Sequence, residues 1–218
     1  MATSEIMLSR QNLIDEDKRK FSSTLTNQKK KVLLHACCGP CATACVERLA
    51  FDYSVTVFYY NPNITDEEEY FLRRDNLLKF LNSFNEEHKN ETFVDYIEGD
   101  YQVEDYLRVA EPLKNEPEGG KRCTVCFELR LAETARVAKK MDMDFFTTTL
   151  TVSPHKNYNT ISSIGKRLSE LSEVPFLDVD FKKKNGFGRS VELSKKYDLY
   201  RQKFCGCEFA RAMMKDNK

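Results

Sequence analysis

Short apolar runs alternate with amphipathic stretches along most of the chain, beginning at about residue 31. Each run is bounded by turn residues, which is typical of buried strands, whereas the stretches between them carry apolar residues at helical spacing. The pattern predicts strands at residues 32–36, 55–61, 93–100, 145–152 and 174–181. It predicts helices at residues 40–51, 65–84, 103–110, 124–141, 158–172 and 189–200.

Two of the predicted helices have a recognisable first turn. Pro40 suits the first helical position, where its missing N–H costs nothing. Thr65 and Glu68 have the spacing of a capping box, which places the start of the second helix at residue 65.

This alternation predicts an α/β protein with a single doubly wound, mostly parallel five-stranded sheet and helices on both faces. In such sheets ligands bind beyond the carboxyl ends of the strands, where the strand order reverses. We therefore expect the residues after the first strand and those that begin the helix near residue 124 to share one rim of the sheet.

The chain has 218 residues, which is enough for one such domain and short for two. Residues 1–30 are polar and weakly periodic, and they are predicted to form an N-terminal extension, either flexible or loosely docked. Residues 31–212 are predicted to form the catalytic domain. Residues 213–218 are predicted to form a C-terminal tail.

Bulk charge does not indicate a nucleic-acid partner, because 34 basic residues balance 34 acidic ones. A contact with RNA must therefore come from a local basic patch. Basic and aromatic side chains alternate between residues 181 and 201, where Arg189, Tyr200 and Arg201 are candidate substrate contacts. The alternative is a solvated loop and helix face.

The location of the protein changes how its cysteines are interpreted. No apolar run approaches the roughly 20 residues of a membrane helix, so no membrane partner is expected. The N-terminus also lacks the apolar core of a signal peptide. We therefore expect a cytoplasmic protein, in which ordinary thiols stay reduced.

Eight cysteines are present, and they are gathered at three places. Clustered cysteines in a cytoplasmic protein indicate metal or redox chemistry more often than a disulfide framework. The three groups are Cys37, Cys38, Cys41 and Cys45, then Cys123 and Cys126, then Cys205 and Cys207.

The first two groups offer four thiolates that one metal centre could use. Cys37 and Cys38 lie at a strand-to-helix turn, where both sulfurs can face one centre, and the helix N-terminus stabilises a thiolate. Cys123 and Cys126 form a C-x-x-C at a helix start. Four thiolates suit a 4Fe–4S cluster or a structural zinc ion equally well. The alternative is a set of inert buried cysteines.

The third group, Cys205 and Cys207, is separated by one glycine. A disulfide across so small a ring is expected to be strained and readily reduced. The pair is therefore a redox dithiol, a source of further metal ligands, or two unrelated thiols. Cys41 is a possible additional ligand. Cys45, one turn further along the helix, is expected to be a small core residue.

Two histidines lie near the expected rim. His35 is within the first strand, either as a hydrogen-bond donor to a metal-bound sulfur or as a core residue. His155 follows the fourth strand and is a candidate substrate contact.

Two phosphate-binding signatures are missing from the first strand-to-helix turn. It has neither the G-x-G-x-x-G fingerprint nor the Ser-Gly-Gly-x-Asp-Ser turn of ATP pyrophosphatases, whose layout is otherwise similar. The fold is thus expected to be Rossmann-like and close to the adenine-nucleotide alpha-hydrolase fold. Nucleotide activation is not expected.

Five segments of the chain resemble the QueH-type epoxyqueuosine reductases, in order and at suitable spacing, from about residue 31 to residue 210. The last of them, with its Cys-Gly-Cys, is the most specific. The segments are HACCGPC (35–41), KRCTVC (121–126), TLTVSPHKN (149–157), NGFGRS (185–190) and YRQKFCGC (200–207).

The resemblance implies an oxidoreductase that converts epoxyqueuosine to queuosine at the wobble position of tRNA. This is the last step of queuosine biosynthesis, and this family performs it without cobalamin. The implied partners are the tRNAs with GUN anticodons, for Asp, Asn, His and Tyr, together with an electron donor that the sequence does not identify.

The resemblance also implies roles for the cysteines. Cys37, Cys38, Cys123 and Cys126 would bind a 4Fe–4S cluster, and Cys205 with Cys207 would be the redox-active pair, able to form a disulfide. Some relatives are thought to hold an additional iron through the terminal cysteines and an acidic residue that follows the double cysteine. Cys41 occupies that acidic position in this chain.

Two other functions remain as alternatives. One is a sulfur-transfer enzyme with a cluster on a similar fold, which would need the nucleotide-binding loop that is missing. The other is a zinc-stabilised RNA-binding module without catalysis, which would be colourless where an iron–sulfur protein absorbs visible light.

Overall fold

The structure is a computed structural model, and it describes residues 29–216. Most of the predicted extension over residues 1–30, and residues 217–218 of the predicted tail, lie outside the described residues. Within residues 29–216, no helix is both long and apolar enough to cross a membrane.

The sheet of the described chain consists of parallel strands in the order β3-β2-β1-β4. The strand β1 lies in the interior of the sheet, between β2 and β4, and Val32 of β1 pairs with Val55 on one side and Phe145 on the other. The strands are β1 (Lys31–Ala36), β2 (Ser54–Tyr59), β3 (Asp95–Glu98) and β4 (Phe145–Thr148).

Helices connect and cover these strands. The helices are α1 (Gly39–Leu49), α2 (Glu67–Glu87), α3 (Val103–Ala110), α4 (Lys121–Lys140), α5 (Tyr158–Ser172), α6 (Gly186–Lys196) and α7 (Glu208–Asp216). Short 3₁₀ helices span Glu111–Leu113 and Thr149–Val152. Helix α7 was not predicted, and it continues beyond residue 212, where the predicted domain ends.

The two faces of the sheet bury separate apolar clusters, because successive side chains of a strand point to opposite faces. Val32 and Leu34 of β1 pack with residues of α1 and α2. Leu33, between them, packs with residues of α4 and α5. The prediction of an α/β protein with a parallel sheet flanked by helices on both faces is confirmed.

The predicted fifth strand, residues 174–181, is not formed. This segment runs beside β4 and makes a single parallel bridge, between Phe146 and Phe176. Beyond the bridge, threonine hydroxyls replace the main-chain ladder: Thr147 Oγ1 and Thr151 Oγ1 donate to carbonyl oxygens of the segment at 2.8 and 2.9 Å. The described sheet therefore has four strands, and the prediction of five was wrong.

Several predicted boundaries also shift, and two of them shift because a side chain caps the backbone. The fourth strand ends at Thr148 rather than at residue 152, since its hydroxyl accepts a hydrogen bond from Leu150 N and begins a 3₁₀ helix. Helix α2 is capped by Asp66, whose carboxylate accepts from Glu69 N at 3.2 Å, and not by the predicted capping box at Thr65.

The strand order places a crevice at the carboxyl ends of β1 and β4, because the chain runs from β1 outward to β3 and then returns to the other side of β1. The first turn of α1 lies there. Gly39 allows the approach of α1 to α2, since a Cβ at this position would lie 2.9 Å from Asn76 O.

Candidate metal and redox site

Three cysteines converge where β1 passes into α1. The sulfur atoms of Cys37, Cys38 and Cys41 all lie within 4.8 Å of one another, and those of Cys37 and Cys38 are 3.8 Å apart. Cys38 is the N-cap of α1 in an extended conformation, so the turn directs both sulfurs of the adjacent pair to one side. Sequence reasoning left the role of Cys41 open, and the structure places its sulfur with the pair.

Negative charge in this sulfur group is concentrated on Cys37. Hydrogen bonds from Cys38 and then Cys41 lower the pKa of Cys37. The hydrogen bond with Cys37 is the largest cause that raises the pKa of Cys38 to about 12 and that raises the pKa of Cys41. No acidic residue occupies the first turn of α1, so its positive end stabilises the thiolate. A soft cation is the partner that three clustered sulfurs favour, and its binding would displace the remaining thiol protons.

Three of the other site cysteines form a second group. Cys126 and Cys207 belong to one small buried cluster with Tyr106, and the half-buried Cys205 packs against it. The Tyr106 hydroxyl lies 2.8 Å from Cys207 Sγ. Burial, followed by the charge of Cys126, raises the pKa of Tyr106, so its hydroxyl stays protonated.

The C-x-x-C motif lies in the first turns of α4. Cys123 Sγ accepts a hydrogen bond from Gly119 N at 3.1 Å. Burial raises the pKa of Cys126 to about 12. Neither sulfur lies within the 4.8 Å group of Cys37, Cys38 and Cys41.

A cavity of about 580 Å³ opens onto both groups of cysteines. Cys37 and Cys41 line it from the first group, and Cys205 lines it from the second. Its volume is typical of a pocket for a small molecule or a single nucleotide base.

Of the predicted substrate contacts, His155 and Arg201 line this cavity. Arg189 does not, because its guanidinium is paired with Glu47 and Glu192 on the surface. Tyr200 is also outside the lining, and its hydroxyl lies 3.3 Å from a carboxylate oxygen of Glu69. The structure thus brings two of the four candidates to the cysteines.

Helix α2 fixes the loop that carries the terminal cysteine pair. The buried Arg73 pairs with Glu69 at 2.6 Å and donates to the carbonyl oxygens of Phe204 and Cys205 at 3.1 and 3.0 Å. Its guanidinium also lies over the Phe204 ring. Gly206 has a φ of +97°, a conformation that side chains rarely adopt.

His35 is satisfied without a sulfur. Its Nε2 lies 3.1 Å from Tyr60 O, a pure acceptor, so Nε2 carries the proton and donates. The neutral ring carries only that one proton, so Nδ1 accepts from the Thr148 hydroxyl at 2.9 Å. Burial, then the charge of Arg130, lowers the pKa of His35 to about 3. Of the two predicted roles, the core role fits these contacts.

The chain is similar to known proteins over most of its length. The model of the family described as epoxyqueuosine reductase QueH matches residues 32–213. The epoxyqueuosine reductase QueH of Streptococcus pyogenes is 41% identical over 185 residues, covering 85% of this chain and 72% of that protein. The protein of that name from Thermotoga maritima is 34% identical over 182 residues, covering 82% of this chain and 89% of that protein. The chain belongs to the QueH family.

Three further residues of this QueH family member lie at the site, and the sequence did not predict them. Gln202 donates from Nε2 to Cys38 Sγ at 2.9 Å, and Lys156 and Arg130 line the cavity. Gln202 and Lys156 lie inside two of the family motifs, so the motifs could have identified them as site residues. Arg130 follows Cys126 by four residues, which places both on one face of α4.

Positive charge faces the cysteines of this QueH chain from two sides. Arg130 is only 2% exposed. Burial lowers the pKa of Lys156, but the neighbouring Cys37, Cys205 and Cys41 outweigh this effect, so the net pKa is raised and the ammonium is retained.

Proposed function

We propose that this protein reduces epoxyqueuosine to queuosine at the wobble position of tRNA, as the last step of queuosine biosynthesis. The observation that carries the proposal is one cavity lined by Cys37, Cys41 and Cys205 in a member of the QueH family. Its proposed substrates are the tRNAs for Asp, Asn, His and Tyr, and its proposed location is the cytoplasm. The proposed fold relationship is to the adenine-nucleotide alpha-hydrolases.

The proposed cofactor is a 4Fe–4S cluster held by Cys37, Cys38, Cys123 and Cys126. The buried sulfur group of Cys37, Cys38 and Cys41 supports a metal centre at this rim. The cysteine ligands of a cluster each bind a different iron, so their sulfur atoms would be more widely spaced than the ligands of a single ion. Cys123 and Cys126 can therefore complete the set from the start of α4. No cobalamin is invoked.

Cys41 is the proposed ligand of an additional iron beside the cluster. Its sulfur lies with the cluster cysteines and also lines the cavity. A thiolate there would replace the acidic residue found in other members. When bound, the metal centre supplies electrons one at a time and a Lewis acid for the epoxide oxygen.

Cys205 and Cys207 are the proposed redox-active pair, and their surroundings differ. Cys205 lines the cavity, whereas Cys207 is buried against the Tyr106 hydroxyl. Both are free thiols in the structure. In this proposal Cys205 meets the substrate, and Cys207 closes the disulfide with it.

The overall reaction converts an epoxide, two electrons and two protons into an alkene and water. A base flipped out of the anticodon loop is the form of substrate that an enclosed pocket admits. The side chains of His155 and Arg201 at the cavity then lie where the rest of the nucleotide would pass.

The roles of the pair are tested by Cys205→Ser and Cys207→Ser in the reconstituted enzyme, with epoxyqueuosine-containing tRNA as substrate. Both variants are expected to lose turnover while they keep the iron of the cluster. Cys45→Ala is the control, since Cys45 lies in the apolar core. Full activity in both serine variants would refute the dithiol role. A colourless protein that binds zinc and not iron would instead favour the RNA-binding alternative.

A further inference from the structure

Four basic side chains line the cavity without a carboxylate partner among residues 29–216, namely Arg130, Lys156, Arg201 and Lys203. Arg201 donates to Ser190 O and Ser194 Oγ, and Lys203 is exposed, which leaves Arg130 and Lys156. Arg130 and Lys156 take part in none of the ion pairs of the described chain. The one acidic residue of the cavity lining, Glu118, is exposed. Charge on the neighbouring cysteines balances part of this positive charge. A substrate group that bears negative charge can use the hydrogen-bond donors that remain free.

The cysteine sulfurs are not hydrogen-bonded to these cations. Within the described structure, sulfurs that accept a hydrogen bond from outside the cysteine groups receive it from neutral donors. These are the Thr149 hydroxyl for Cys37, the Gln202 amide for Cys38 and the Gly119 N–H for Cys123. The partner of Cys207 is the neutral Tyr106 hydroxyl. Neither Arg130 nor Lys156 donates to a sulfur there.

The donors of Arg130 are largely unused. Its Nε donates to Cys126 O at 3.2 Å, while the buried Nη2 has no partner among residues 29–216. Since the side chain is 2% exposed, water does not satisfy this group freely. Arg130 lines the cavity from α4, and Lys156 lines it from the loop before α5. The cavity thus presents unused N–H donors beside Cys37 and Cys205.

The position of Arg130 and Lys156 determines which part of the substrate they can contact. A base inserted from a tRNA leaves its phosphates at the mouth of a cavity and carries its modified group to the inner end. Cys37 and Arg130 are buried residues of the lining, and we place the proposed reaction beside them. The oxygen of the epoxide is the atom on which negative charge develops in that reaction.

We propose that Arg130 and Lys156 form an oxyanion-binding pair that holds the epoxide oxygen and stabilises its negative charge as it leaves. The inference rests on the proposed function. Both carbon–oxygen bonds of the epoxide break and a carbon–carbon double bond forms. Two electrons enter the enzyme from dithionite in the assay, one at a time, and the reduced enzyme passes them to the epoxide. Two protons from solvent reach the oxygen, which leaves as water. The pair donates hydrogen bonds and is unchanged at the end.

The test compares Arg130→Met and Lys156→Met with the charge-retaining Arg130→Lys and Lys156→Arg. The control is Arg136→Met, because Arg136 lies on the same helix, is exposed and pairs with Glu133. Single-turnover rates are measured on the reduced, reconstituted enzymes at saturating epoxyqueuosine-containing tRNA. Iron content, the midpoint potential of the visible absorption and the dissociation constant for the tRNA are measured alongside.

Each methionine variant is expected to lower the saturating rate about 100-fold, the usual loss of one oxyanion donor. Iron content, midpoint potential and tRNA affinity stay at wild-type values, the charge-retaining variants recover part of the rate, and Arg136→Met keeps all of it. If Arg130→Met does not fold, Lys156→Met tests the inference. Lys156 is a half-buried residue of a loop, so its replacement is expected to leave the fold intact.

Three results would overturn the inference. The first is an unchanged rate in the methionine variants. The second is a rate that falls only together with a shifted midpoint potential or lost iron, which marks a counter-charge of the metal centre. The third is a loss of tRNA affinity alone, which marks a phosphate contact. An inactive wild type overturns the proposed function as well, whereas an active wild type with fully active variants overturns this inference alone.

Discussion

The hydroxyl oxygen of Tyr106 lies 2.8 Å from the sulfur of Cys207, and this contact joins α3 to the loop of the terminal cysteine pair. The two residues are 101 positions apart in the chain, and both are buried. The contact gives the two cysteines of the pair different surroundings, with Cys205 at the cavity and Cys207 against a phenol.

Tyr106→Phe removes this hydroxyl and little else. We expect the free energy of unfolding to fall by about 1 kcal/mol, the value of one hydrogen bond, and turnover to fall about tenfold because Cys207 loses its fixed position. Urea unfolding and the tRNA reduction assay measure the two effects. Tyr96→Phe is the control, since its hydroxyl meets the exposed Glu98. Equal turnover in the two variants would show that the contact is not used.

Arg73→Met removes one partner of a buried ion pair and two hydrogen bonds to the cysteine loop. We expect the free energy of unfolding to fall by about 3 kcal/mol, because Glu69 is left buried and unpaired. The neighbouring Arg74→Met is the control, and it should change stability by less than about 1 kcal/mol, since the Arg74–Asp75 pair is exposed. Denaturant titration of both variants decides between a structural anchor and a surface residue.

Gly206→Ala has two unfavourable effects. It adds a methyl group in a close contact, and it puts an alanine at a positive φ. The added Cβ would lie 3.0 Å from a carbon of Ile64 and 3.1 Å from Arg73 Nη1. We expect a loss of about 2 kcal/mol in the free energy of unfolding.

Gly119→Ala is the matched comparison for this substitution. Gly119 also has a positive φ, but its added Cβ would meet no atom within 4 Å. It should cost about 1 kcal/mol from the backbone alone. Equal losses in thermal or urea unfolding would mean that the contact around Gly206 relaxes freely.

Cys41→Ala and Cys45→Ala separate a metal ligand from a core cysteine on the same face of α1. Cys41 has two sulfurs within 4.8 Å, whereas Cys45 lies one turn further in, among apolar side chains. We expect Cys41→Ala to bind iron at least about tenfold more weakly, since it loses a thiolate ligand. Cys45→Ala should bind iron as the wild type does. Iron analysis after anaerobic reconstitution distinguishes them, and equal iron in both would remove Cys41 from the site.

The sequence predicted the strands and helices that depend on short-range patterns. Strands β1 and β2 and helix α5 follow from apolar periodicity, and the cysteine groups follow from their spacing. The fifth strand could not be excluded this way, because its failure depends on where Thr147 and Thr151 direct their hydroxyls. Apolar character predicted that the segment is buried, not which partner would satisfy its backbone.

The same limit applies to the site. His155 and Arg189 were both predicted to contact the substrate, and only His155 lines the cavity. The position of Arg189 could not be predicted, because its pairing with Glu47 depends on the packing of α6 against α1. The buried charge of Arg130 had no signal in composition, since arginine is mostly an exposed residue. Burial of a charged group is a property of the whole fold.

The most direct measurement of the central claim is the nucleoside composition of tRNA after incubation with the reconstituted, reduced protein. Epoxyqueuosine-containing tRNA is digested to nucleosides and analysed by mass spectrometry. The proposed function predicts that the epoxyqueuosine signal decreases as an equal amount of queuosine appears, with no conversion in the absence of reductant or by Cys205→Ser. An iron-loaded, reduced protein that leaves epoxyqueuosine unchanged would contradict the account.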